Sequence, residues 1–188
     1  MINLIETIQQ RLGYAPLQKV DPNTQEIASG AAIDVLAQSI IPAVAAGLYK
    51  ITRSEEGARL VLRGNFSTGI AEALFGENTD TLLDNISSYA DVDRKTALTQ
   101  LERAGEAAVK IINENATTDP REPAVILFMK EQRNTILHYL PAALQIGLLL
   151  NDTTMDDKTN KMDGPISGLM HKIEKVFSGA PPEAPATK

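Results

Sequence analysis

Tyr89-Ala90-Asp91-Val92-Asp93-Arg94-Lys95-Thr96 is the stretch on which a reading of the fold turns, because an earlier stretch has the same form. Tyr14-Ala15 precedes Val20-Asp21-Pro22-Asn23-Thr24 as Tyr89-Ala90 precedes Val92-Asp93-Arg94-Lys95-Thr96. An amphipathic run lies before each pair: Ile5, Ile8 and Leu12 in one case, Leu82, Leu83 and Ile86 in the other. In each, the Asp carboxylate can accept orphan amide hydrogens at a helix start, and Pro22 sits where a missing N–H costs nothing. Helix, Tyr-Ala turn and capped helix are therefore written twice. The expectation is an all-α, multihelical single domain with two pseudo-repeated helical hairpins.

Helical spacing predicts further elements. A first helix covers residues 2–12 and stops at Gly13; a second opens at Asp21, is uncharged from Val35 to Tyr49, and is expected to kink at Pro42. Ser54-Glu55-Glu56 opens a third, ending near Gly64. Short helices are expected over 68–75, closed by Gly76, and over 80–89. Asp93 caps a helix to about Glu114, and Asp119-Pro120 opens one that runs to Leu150 with a kink at Pro141. Ile41-Pro42 and Leu140-Pro141 mark the two expected central helices. The polar residues 151–163 form a loop, and a last helix ends at Phe177. The domain is thus expected over 1–177, with a disordered Pro- and Ala-rich tail over 178–188.

Composition narrows the chemistry. Aromatic residues are 4% of the chain, with no Trp, which suits close helix packing through Ala, Leu, Ile and Val better than a β-sandwich. The net charge of −6 disfavours a phosphate backbone as partner. Absence of cysteine removes disulfides, thiolate nucleophiles and thiolate metal sites. The start, Met1-Ile2-Asn3-Leu4-Ile5-Glu6, has no basic signal region, so a bacterial-type cytoplasmic location is expected. Residues 134–151 lack formal charge, but Asn134, Gln145 and Asn151 favour a buried helix over a membrane span.

The chain resembles the bacterial family that contains YidB. The resemblance rests on Asp21, Pro22 and Thr24; on Ile41, Pro42, Gly47 and Leu48; and on Ser54-Glu55-Glu56-Gly57-Ala58. Leu74-Phe75-Gly76 and Gly168-Leu169 complete it. The resemblance implies a multihelical cytoplasmic protein and brings no established activity. The chain departs from it in lacking Gly-Gly-rich loops. Leu82-Leu83, Ile86 and the run from Ala90 to Ala97 are also similar to the opening hairpin of the histone-like HU proteins, where that hairpin serves dimerisation. No DNA-gripping arm follows here, because Asp119-Pro120 opens another helix.

Candidate sites are few. His138, beside Tyr139 in an apolar run, reads as a packed core histidine, and His171 as a solvated one. Asp152, Asp156, Asp157 and Asp163 do not make an EF-hand loop, since Lys161 and Met162 occupy its fifth and sixth positions; no metal and no cofactor is expected. No hydrolase or nucleotide-binding signature occurs, so no catalytic residue is assigned. Leu98, Leu101, Gly105, Ala108 and Ile112 form a 3-4-3-4 stripe, with Thr99, Glu102, Arg103, Glu106 and Lys110 off it. The stripe is the candidate interaction surface, with a protein partner or a second copy as its occupant and intramolecular packing as its competing use. A protein-interaction or homo-oligomeric module without catalysis is the expected function. The alternatives are an HU-like nucleic-acid-associated protein, read through Arg94 and Lys95, and a small-ligand pocket near His138 and Tyr139.

Overall fold

The computed structural model describes residues 2–20, 34–152 and 154, within the compact unit Met1–Asp156. Among these residues all regular structure is helical and no strand occurs. The helix opening expected at Asp21, the final helix, the tail, His171, and Asp156, Asp157 and Asp163 lie outside the described residues, as does the expected boundary at 177.

Helix α1 is Leu4–Leu12, capped by the Asn3 side chain, which accepts from the Glu6 amide at 3.3 Å. Gly13 ends it with φ 75°, a left-handed conformation that suits a residue without Cβ. Residues 14–20 then run without regular structure to the edge of the described region. Helix α2 is Val35–Ile51, and Asp34 caps it by accepting from the Ala37 amide at 2.9 Å. It passes through Pro42 unbroken, and every residue from Ala37 to Tyr49 is buried. Its small residues allow that enclosure: a Cβ on Gly47 would lie 3.0 Å from Leu74 Cβ.

Helix α3 (Glu55–Arg63) has the expected Ser54 cap, accepting from the Gly57 amide at 3.1 Å, and ends at left-handed Gly64. Helices α4 (Ile70–Phe75) and α5 (Thr79–Ala90) flank a 3₁₀ turn, Gly76–Asn78. Helix α6 (Arg94–Asn115) begins under the expected Asp93 cap, which accepts from the Thr96 amide at 2.9 Å. Helix α7 is Arg121–Tyr139, followed by a 3₁₀ turn, Ala142–Leu144, and the short α8, Ile146–Leu149.

Three expectations need correction. The helix from Asp119 does not kink at Pro141 but ends before it. Leu140 is extended (ψ 113°), the conformation the following proline ring imposes by clashing with a helical neighbour. Helix α7 is also not the second central helix. It buries Val125, Met129, Gln132, Ile136 and Tyr139 on one face, whereas α6 packs against α1 to α5 and α7. The centre is therefore α2 with α6. Finally, the two Tyr-Ala pairs are structurally unlike: Tyr14-Ala15 lie beyond the Gly13 stop, whereas Tyr89-Ala90 are the last helical residues of α5.

Candidate interaction site

The stripe on α6 is interior packing. Leu101, Ala108 and Ile112 are fully buried, and a Cβ on buried Gly105 would lie 2.5 Å from Ile70 Cγ2 of α4. Four of the five residues assigned to an intersubunit surface are thus covered by the chain's own helices; Leu98, 38% exposed, remains accessible. The 3-4-3-4 spacing reports an apolar face without saying what covers it.

His138 is exposed, contrary to the expectation of a core histidine. Its neighbour Tyr139 is buried and its hydroxyl donates to Glu6 Oε1 at 3.3 Å. Burial, with the nearby Glu6 carboxylate, holds this phenol above its ordinary range. Consecutive residues on a helix diverge by about 100°, so the pair does not converge on one pocket. Arg94 of the HU-like hairpin reaches back to Asp80 and to Asp84 (3.2 Å) on α5, which neutralises it locally. Asp152 is buried, and its carboxylate accepts from Arg53 at 2.8 Å and from the Thr154 hydroxyl at 2.6 Å. No cluster of three potential metal ligands occurs among the described residues, and none of their helices is long and apolar enough to cross a membrane.

Several polar side chains in and beside the core hydrogen-bond to backbone groups of other elements. Because Pro141 ends α7, the last carbonyls of that helix need donors from elsewhere. Tyr139 O accepts from Gln38 Nε2 at 2.9 Å, and His138 O accepts from the Val20 amide at 2.8 Å. Gln38 also grips Gln18: its Oε1 accepts from the Gln18 amide at 2.8 Å and its Nε2 donates to the Gln18 carbonyl at 3.0 Å. Residues 14–20 are thereby strapped across the seam between the start of α2 and the end of α7. The strap's near end is fixed by the Tyr14 hydroxyl, which donates to Gln100 Oε1 at 2.7 Å, and by Gln9 Nε2, which donates to the Tyr14 carbonyl. Burial, with the nearby Asp34 carboxylate, raises the Tyr14 phenol.

Gln132 does the same for α1: its Oε1 accepts from the Leu4 amide at 2.9 Å and its Nε2 donates to the Ile2 carbonyl at 3.1 Å. Glu102 clamps α4, both oxygens accepting, from the Ile70 amide at 2.8 Å and the Ala71 amide at 2.9 Å. None of these three was singled out in the sequence for this work. A signal existed for Gln38: an amide inside an uncharged, fully buried helix must find partners.

On the outer surface, Leu127 of α7 and Leu148 of α8 are 57% and 63% exposed. Comparison of the chain with protein-family models, with curated proteins and with solved structures finds no match.

Proposed function

We propose that this chain is a protein-interaction or homo-oligomeric assembly module without catalytic chemistry. The observation that carries the reading is the use of its buried and half-buried polar groups. Gln38, Gln132 and Glu102 hold backbone amides and carbonyls of other elements, which ties distant parts of the helical body together. Leu98, Leu127 and Leu148 supply accessible apolar surface on that body. The resemblance to the YidB family, as a multihelical cytoplasmic type, is compatible with this reading.

The test is absolute mass by light scattering on a sizing column, for the parent chain and for Leu98→Glu, Leu127→Glu and Leu148→Glu. A multimer that one of these charges dissociates, with unchanged helicity, supports assembly through that side chain. A monomer at every concentration, with no protein retained from native extract, removes the proposal.

A further inference from the structure

We propose that Gln38 and the C-terminal turn of α7 form a docking site for an extended peptide backbone, filled here by the chain's own residues 17–20, and that the same segment of a second copy can occupy it instead. The proposal rests on the assembly reading above and names where the copies would meet. Its basis is the chemistry of the site. Gln38 is 2% exposed and commits one Nε2 hydrogen to Tyr139 O. The rest of its amide presents one donor and one acceptor, which match the C=O and N–H of a single residue, Gln18. Two residues on, His138 O takes the Val20 N–H. An i, i+2 pattern of backbone bonds is how an added extended segment is recognised.

Within the segment Leu17, packed against the core, Gln18 and Val20 are half-buried and Lys19 is exposed. The directional contacts that hold it are three main-chain groups. An empty site is disfavoured, because a buried primary amide without partners is costly to leave unmade. Replacement of the segment is consequently favoured over simple opening. The occupant with the right backbone pattern and the right Leu is the same segment from another copy, by exchange of identical elements.

The decisive variant is Gln18→Pro, which removes one N–H from the partly exposed segment and leaves the site untouched. A capped, fluorescent peptide of the Tyr14–Val20 sequence is titrated into the full-length parent and variant. The expected result is binding at least tenfold tighter to Gln18→Pro, because its internal competitor is weakened, and loss of that binding when Gln38→Leu is added. No binding to a folded Gln18→Pro chain overturns the docking site. Should that variant fail to fold, amide exchange of the parent decides. Gln18 and Val20 are expected to exchange by local opening, ahead of Ile40 and Ile41; exchange of all four only on global unfolding overturns the proposal. Light scattering separates this from the assembly reading. A multimer unaffected by Gln18→Pro leaves assembly standing and removes the second copy from this site. A monomeric parent whose Gln18→Pro form binds the peptide keeps the site and also removes the second copy as occupant.

Discussion

Gly57 and Gly105 look alike in sequence, each a helix-interior glycine in an Ala-containing run, yet their surroundings differ. A Cβ on Gly57 would lie 1.9 Å from the backbone oxygen of Ile51, and one on Gly105 would lie 2.5 Å from a side-chain methyl of Ile70. Glycine to alanine inside a helix normally gains about 0.5–1 kcal/mol. At both sites the steric term is expected to reverse that sign. The Ile70 side chain can partly repack, so Gly105→Ala should lose about 1–3 kcal/mol, as other overpacked positions do. The Ile51 carbonyl belongs to the main chain and cannot turn aside, so Gly57→Ala should lose more than Gly105→Ala. Urea denaturation of both variants checks the order; a stabilised Gly57→Ala would show that the α2–α3 corner yields freely.

At the scale of the element, α4 lacks a capping side chain of its own. Its N-cap is Gly69, with φ 92°, and the capping oxygens come from Glu102 on α6. A Cβ at position 69 would sit 2.9 Å from Glu102 Oε1, so glycine keeps the approach open. Losing a helix cap costs about 0.5–2 kcal/mol. Glu102→Ala is therefore expected to lower stability within that range and to speed amide exchange at Ile70 and Ala71, with α6 little changed. Glu102→Gln, which retains one acceptor oxygen, should fall between. Equal exchange in parent and Glu102→Ala would rule out the cap. The contrast explains what was legible in the sequence. The Ser54 and Asp93 caps act on amides three residues away, and both were readable. Glu102 acts 32 residues away, Gln38 reaches 101 residues to Tyr139, and Gln132 reaches 128 to Leu4. Spacing placed Glu102 off the apolar stripe and had nothing to say about its partner. The prolines show the same limit. Pro42 and Pro141 share a local context, but one is enclosed on all sides within α2 and the other lies where carbonyl partners from α2 and the strap let a helix end.

For the whole molecule, the helical architecture of the described residues followed from periodicity, whereas the α2–α6 centre did not, because an uncharged run such as 134–151 reads as buried although Asn134, His138, Ala143, Leu148 and Asn151 within it are exposed. Electrostatics at this scale gives an expected pH profile. Hydrogen bonds from Thr96 lower the Asp93 carboxyl, and the Arg11 guanidinium lowers that of Glu114. Glu122 is lowered by its own backbone N–H and by Arg59. Burial pushes Asp152 upward, but hydrogen bonds from Thr154 and the Arg53 charge outweigh it, so the net shift is downward. Each folded carboxyl thus binds its proton less readily than the unfolded chain does. The stability this confers is present above the ordinary carboxylate range and is lost as pH falls through the depressed folded values. Tyr14, Tyr89 and Tyr139 shift the other way: burial raises all three, so their contribution holds below the ordinary phenol range, about 10, and is lost as pH rises through the folded values. The urea midpoint is expected to be flat near neutrality and to fall at both extremes. On the acid limb Asp152→Asn should start lower at neutral pH, where the Arg53 pair is broken, and then decline less steeply. Parallel acid limbs for parent and Asp152→Asn would show that the pair of buried Asp152 with exposed Arg53 takes no part in the pH dependence.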